Sequence, residues 1–317
     1  MKHPISLFLL TLACAAMIIG CSKSKDDPKE SDGNTENQET QSPAIPEGAL
    51  NGVFSVGEGK KVVFSKGNLQ YNAVLGEHVR ADGTKAPGMW QLAEEQWECL
   101  KEDNAKASDS YDGWIDLFCF GADGWKGGVK EYQPYSKNDQ LNNFILGNDV
   151  KAGLTGEYAY ADWGMYNAIS NAGNKPGLWR TLTSAEWIYL FTERPNAREL
   201  FSKACVNGIN GYILLPDDWI PISGLEVKVS PSTYAINSFT ANEWNIMQTF
   251  GAVFLPAAGY RNGTLMAYDN QAGLYWSSTA DDYTYIYAIV FSEFHLFEQG
   301  GSHRSFAISV RLVHDIE

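Results

Sequence analysis

Trp179-Arg180-Thr181-Leu182-Thr183-Ser184-Ala185-Glu186-Trp187-Ile188-Tyr189 decides how this chain is read. Thr183 and Glu186 stand three apart, as a capping box requires. The Thr hydroxyl can accept from the backbone at Glu186, and the Glu carboxylate can reach back to the backbone at Thr183. Trp187, Leu190 and Phe191 then fall on one apolar face, so the spacing predicts a short helix. Thr240-Ala241-Asn242-Glu243-Trp244 repeats the signature and is followed by Met247. Capping chemistry alone produces such an echo, so no duplication is inferred from it.

Working outward, a third helix is expected over Leu92 to Leu100, where Trp97 and Leu100 lie three apart. The rest reads as short strands separated by turns. Gly52 to Val56 and Lys61 to Ser65 form a hairpin across Gly57-Glu58-Gly59, and Asn68 to Tyr71 follows. Asn207-Gly208 and Asn210-Gly211 are two turn-forming pairs ahead of a strand from Tyr212 to Leu215. Further strands are expected over Leu274 to Ser277, Tyr285 to Phe291 and Ile308 to Val313. The fold class is α+β, with small antiparallel sheets, few helices and long loops. Alternation puts Trp276, Ile286, Val290, Ile308 and Val310 in the core.

The N-terminal part has another character. Lys2 and His3 precede an uncharged, mostly apolar run from Ile5 to Ile19, too short for a bilayer core that needs ~20 apolar residues. It reads as a signal-peptide h-region, with residues 1–20 as the signal. Ile18-Ile19-Gly20-Cys21 resembles a lipobox, with Ile18 where Leu is usual, so Cys21 is the expected lipidation site. The acyl chains that this resemblance implies, palmitate among them, would anchor the protein firmly, since two chains suffice. Ser22-Lys23-Ser24-Lys25-Asp26-Asp27 resembles the acidic export signal of Bacteroidota surface lipoproteins. Residues 21–46 are then a polar, acidic tether, too poor in apolar groups to order itself, and 47–317 form one domain. That domain carries all ten Trp and all sixteen Tyr.

The formal charge is −14, and −15 once Lys2 leaves with the signal. This balance argues against nucleic acid as a partner. Of the five cysteines, Cys99, Cys119 and Cys205 remain to the domain. Their number allows at most one disulfide, their disulfide state stays open, and their spacing fits no zinc pattern.

The quoted Trp179–Tyr189 segment is similar to the R-L-P-T-x-x-E-W-E-Y segment of the formylglycine-generating-enzyme family, and Ser309-Val310-Arg311-Leu312-Val313 to its closing G-F-R-L-V strand. Pro256-Ala257-Ala258-Gly259-Tyr260-Arg261 and Tyr275-Trp276-Ser277-Ser278-Thr279 resemble the related Fibrobacter succinogenes major paralogous domain. Gly48 to Val56, Gly67 to Tyr71, Gly113 to Phe118 and Asp162-Trp163-Gly164 resemble Bacteroidota surface lipoproteins that share it. The resemblance implies a C-type-lectin-like fold of the formylglycine-generating type, and an outer-membrane, surface-exposed protein held by its lipid anchor. Such a fold hosts unrelated functions.

The enzymes of that family need a reactive cysteine pair near the C-terminus, and this chain has no cysteine after Cys205. His78, His295, His303 and His314 lack the spacing of a histidine iron site. No G-x-S-x-G or P-loop occurs. The expectation is therefore a protein that is not an enzyme and needs no cofactor, with a structural calcium in a loop left open. The alternatives are a degenerate or novel enzyme of the formylglycine-generating type, and an accessory subunit of a surface fibre or nutrient-uptake complex.

A glycan or protein ligand is the expected partner. Tyr260, Arg261, Asn262, Tyr268, Tyr283, Tyr285, His295, His303 and Arg304 are the candidate ligand-binding residues, with Tyr283, His295 and Arg304 placed on the surface. Tyr, Arg, Asn and Ser are the residues that binding faces favour, and flat rings stack on sugars through their apolar faces.

Overall fold

Both Thr-x-x-Glu-Trp segments start helices. In the computed structural model Thr183 Oγ1 accepts from the Glu186 amide at 3.1 Å, and the Glu186 carboxylate accepts from the Thr183 amide at 2.8 Å. The second box closes likewise between Thr240 and Glu243. The helices run over Ser184–Ile188, continued by a wide turn over Tyr189–Glu193, and over Ala241–Thr249. Trp187, Leu190, Phe191, Trp244 and Met247 are all buried.

The structure describes residues 45–125, 144, 146, 149, 151–282 and 284–316, which belong to one unit spanning 42–317. The architecture is mixed α and β, with mostly small antiparallel sheets and few helices. One sheet orders strands Ala49–Gly57, Lys60–Ser65, Leu312–Ile316 and Arg180–Thr181. A second orders Val253–Pro256, Ile209–Leu214, Phe201–Val206 and Ser238–Phe239, the last pair parallel. The third has five strands in the order Leu296–His303, Tyr285–Ser292, Ala272–Ala280, Ile308–Ser309 and Leu117–Phe118. Two hairpins, Leu69–Val79 with Lys85–Leu92 and Tyr260–Asn262 with Leu265–Ala267, complete the strands.

Three clusters of buried side chains fill the space between these layers. Trp90, Phe118, Trp163 and Trp276 lead one, Phe64, Trp187 and Phe291 a second, and Trp244 with Phe254 a third. Cys99, Cys119 and Cys205 are free thiols. Burial pushes that of Cys119 up to about 12, so it stays protonated and inert.

Several local expectations are corrected. Leu92 to Leu100 is not a helix. Leu92 ends a strand, and the short helix starts at Lys101. Tertiary polar contacts claim the segment: the Gln96 amide donates to Ala252 O at 3.1 Å and its oxygen accepts from the Phe254 amide at 2.7 Å. The Leu100 amide goes to Asp116 at 3.0 Å. Only the first Asn-Gly pair turns. Asn207 and Gly208 have φ of 49° and 83°, the conformation tight hairpins demand, whereas Asn210-Gly211 lies within a strand. Ile308 to Val313 is two strands, because the chain leaves one sheet after Ser309 and enters another at Leu312. Between them Arg311 is fully buried, donating to Gln96 Oε1 at 2.7 Å.

Val290 is half-buried rather than core. The pairing of Tyr285–Ser292 with Leu296–His303 slips between Ala288 and Val290. The extra residue lies in the partner strand, so Tyr285–Ser292 keeps its own alternation. Val290 shares the face of Ile286 and Ala288 and packs against the same cluster, while Ile289 and Phe291 are buried on the other face. Val290 is only half-buried because its end of the strand borders an open cleft. Trp276, Ile286, Ile308 and Val310 are buried as expected.

Candidate functional site

The turn Tyr268-Asp269-Asn270-Gln271 joins the 260–267 hairpin to the central strand of the five-stranded sheet. Tyr268 and Asn270 both have left-handed backbones, with φ of 58° and 55°. Asn tolerates this conformation, while for a bulky Tyr it is strained. Strain persists only where the surroundings over-determine it, and here they do. The Tyr268 carbonyl accepts from the Gln271 and Ala272 amides at 2.9 and 3.0 Å, and the Asn270 amide donates to Ala257 O at 2.8 Å. Asn270 also ties the turn to the neighbouring sheet. Its Oδ1 accepts from the Asn210 amide at 2.7 Å, and its carbonyl accepts from Asn210 Nδ2 at 2.9 Å.

This turn forms one wall of a cleft of about 500 Å³. Tyr234, Tyr260, Tyr268 and Phe294 supply rings to it, and Leu274 and Val290 aliphatic surface. Asn210, Gln271, Ser292 and Glu293 supply polar groups. Phe294 sits on the Ser292–His295 turn and is 80% exposed. Ser292 Oγ holds that turn by accepting from the Phe294 and His295 amides. Burial, Tyr212 and the Glu293 carboxylate together push the Tyr234 hydroxyl well above its usual range, so it stays neutral.

Behind Tyr268 runs a row of rings. Tyr268 lies 5.9 Å from Tyr260, centroid to centroid, at 33°. Tyr260 stacks on Phe306 at 4.9 Å and 8°, and Phe306 meets His303 at 5.4 Å. The edge of Tyr285 closes the far end, 6.0 Å from His303. Tyr268 is 56% exposed, so one end of the row opens into the cleft.

Of the candidate residues, Tyr260 and Tyr268 are brought together on the cleft, and Tyr285 and His303 at the far end of the ring row. Asn262 is exposed on its hairpin. His295 is exposed and stacks on Phe297 at 5.6 Å, apart from the row. Tyr283 lies outside the described residues.

Arg261 and Arg304 are corrected: both are fully buried, Arg304 contrary to its expected surface position. Arg261 Nη1 donates to Gly263 O at 2.6 Å, and its backbone exchanges two hydrogen bonds with Ala307 at 2.9 Å. Arg304 Nη2 donates to Asp282 O at 2.9 Å, and its guanidinium lies 5.6 Å from the Phe120 ring centre. Burial draws that guanidinium down to about 10, so it remains charged at neutral pH. Both arginines build the scaffold under the face rather than the face itself.

Asn210 and Tyr234 of the cleft, and Phe306 of the row, lie outside the sequence expectation. No local signal marks Asn210 or Tyr234 as site residues, because a strand of another sheet carries in the first and a short 3-10 helix over Tyr234–Ile236 the second. Phe306 sits two residues past Arg304 in the aromatic-rich segment, and that nearness was its only mark. Asp282 accepts from the Thr284 and Tyr285 amides at 2.7 and 2.8 Å, which hold its carboxyl below the usual range. Among the described residues, no group of three or more His, Cys, Asp or Glu could hold a metal ion.

Compared with models of known families, with curated proteins and with solved structures, the chain matches none.

Proposed function

We propose that this chain is a non-enzymatic surface lipoprotein that binds a glycan or protein ligand in the cleft beside Tyr268. In this reading Cys21 is acylated, residues 21–46 are the tether, and the domain is displayed on the outer membrane. Its fold is the C-type-lectin-like arrangement of the formylglycine-generating type, a reading that the small antiparallel sheets, few helices and long connections support.

The observation that carries the binding reading is the strained, doubly stapled turn at Tyr268–Asn270. It holds an exposed ring at the mouth of an apolar cleft. Exposed aromatics on rigid supports supply contact area at low entropy cost. A cleft with mostly apolar walls and a few polar groups is the usual form of a ligand site. Strain at such a place points to function more than to stability.

The test is to screen the acylated, detergent-solubilised protein on glycan and protein arrays beside a Tyr260→Ala/Tyr268→Ala variant. A ligand retained by the parent and lost in the variant is expected. A ligand indifferent to the variant would refute the cleft as the site and favour an accessory subunit of a larger surface assembly.

A further inference from the structure

The geometry points to an uncharged saccharide as the ligand, one sugar ring lying flat on the open face of Tyr268. This rests on the binding reading above and narrows it.

Ring orientation is the first argument. Tyr268, Tyr260 and Phe306 follow one another at 33° and 8°. Tyr260 stacks on Phe306, Tyr268 leans on Tyr260, and the 56% exposed Tyr268 is the end of the row that meets the cleft. The CH face of a pyranose is apolar and flat, and it packs on such a ring with its hydroxyls pointing outward. A quaternary ammonium would instead need rings facing one another around a gap. Tyr260 and Tyr268 lean on each other, 5.9 Å apart and tilted by 33°, so they leave no gap between them for a cation and do not form opposed walls of a cage.

Polar groups at the rim give the second argument. The side chains of Gln271 and Glu293 and the hydroxyls of Tyr260 and Tyr268 line the cleft and make no hydrogen bond to any described residue. They form a mixed set of donors and acceptors around an apolar floor, the pattern that a ring with an apolar face and a hydroxylated edge satisfies. A carboxylate accepts strongly from paired hydroxyls.

Charge is the third. Among the described residues the cleft lining holds no Lys or Arg and Glu293 is its only charged residue; the Lys203 ammonium beside it is engaged by the Glu293 carbonyl at 2.6 Å. With −14 on the whole chain, an acidic saccharide would be repelled rather than steered in. Size is consistent too, since about 500 Å³ lies in the range of small-ligand sites.

The experiment is saturation-transfer NMR and calorimetry on the full acylated chain in a polyoxyethylene detergent, which carries neither sugar nor choline. The probes are maltohexaose, cellohexaose and mannohexaose, with hexagalacturonate and choline beside them. Expected is binding of at least one neutral hexaose. Its affinity should fall at least tenfold in Tyr268→Ala, about 1.4 kcal/mol, and hold within about threefold in Tyr268→Phe, which keeps the ring. Glu293→Gln should weaken it about tenfold, since a charged acceptor is lost. Thermal melts of each variant show whether it is folded, and the Phe variant decides the matter if the Ala variant is not.

Hexagalacturonate or choline bound in preference to all three neutral probes, and lost in Tyr268→Ala, would overturn the saccharide assignment while leaving the cleft a binding site. A protein ligand found on the arrays that depends on Tyr268, with no neutral probe bound at 10 mM (about 3 kcal/mol of affinity), would do the same. Binding of any probe that is indifferent to Tyr268 would overturn both readings.

Discussion

Replacing Tyr268 by Gly and, separately, by Ala tests the strained turn directly. At an ordinary exposed position, Gly is less stable than Ala by about 0.5–1 kcal/mol, because its unfolded chain is freer. At φ 58° the order should reverse. A side chain with a Cβ pays about 1–2 kcal/mol to sit in the left-handed region, and Gly does not. Subtracting the entropic cost of Gly leaves it about 0.5–1 kcal/mol more stable than Ala. Both variants lose the contact with Tyr260, about 0.5–1.5 kcal/mol, so that term cancels in the comparison. For a domain of this size, each kcal/mol is about 2–4 °C in Tm. The Gly variant should therefore melt about 1–4 °C above the Ala variant, and its urea midpoint should rise at unchanged m. Tyr285 serves as the control, since it is exposed on a strand of ordinary φ and should show Ala above Gly. Both Tyr268 variants should lose the ligand. Ala equal to or above Gly at position 268 would mean that the backbone there is not held left-handed, and would remove the strain on which the site argument rests.

Asn270→Ala should cost about 2–3 kcal/mol in urea unfolding, because it leaves the half-buried Asn210 amide without its acceptor and adds left-handed strain. Arg180→Ala should cost about 1–3 kcal/mol by the same measurement, since this largely covered guanidinium binds both Glu186 oxygens at 2.8 Å and also Asp315. Burial raises Asp116 to about 6 and Asp162 to about 7 from 3.8. The folded state thus holds more protons than the unfolded one between about pH 4 and pH 7, and the contribution of these groups to stability falls as pH rises through that window. Asp162→Asn should therefore gain about 1–3 kcal/mol relative to the parent between pH 5 and pH 8; unfolding at the two pH values checks this, and a pH-independent difference would refute it.

What could be read from the sequence was what short-range chemistry decides. Thr183 with Glu186, and Thr240 with Glu243, each satisfy helix-end groups by themselves, so they predicted helices that exist. Asn207-Gly208 turned because both residues tolerate positive φ. The misreadings share one cause, a partner distant in sequence. Leu92 to Leu100 has helical spacing, yet Gln96 is claimed by Ala252 and Phe254, more than 150 residues away. Val290 takes the face that alternation gives it, but it is half-buried because a cleft walled by Tyr234 and Tyr260, distant in sequence, opens beside it. Arg261 and Arg304 have the composition of a binding face, and composition alone does not tell a guanidinium that meets solvent from one that ties loops together beneath it. Tyr260 and Tyr268 were nominated for their chemistry, and the structure adds what chemistry alone does not carry: they touch, and one of them is open.

The burial of the two arginines bears on how the face works. Each follows a ring of the row in sequence, Arg261 after Tyr260 and Arg304 after His303, and holds a loop carbonyl, Arg261 that of Gly263 and Arg304 that of Asp282. A buried charge is costly unless its hydrogen bonds are satisfied, so moving these loops would expose that cost at once. The rings at Tyr260, Phe306 and His303 therefore stand on a base that resists repacking. The strain at Tyr268 is held by the Asn270–Asn210 pair, because the turn cannot relax without parting from the neighbouring sheet. A ligand meeting Tyr268 meets a ring already fixed in place, and the ordering entropy of that contact has been settled in folding rather than in binding. It follows that variation at Tyr268 or Glu293 can change what is bound with little cost to the fold. Loss of Arg261 or Arg304 should instead remove binding and stability together, and that difference separates the face from its scaffold.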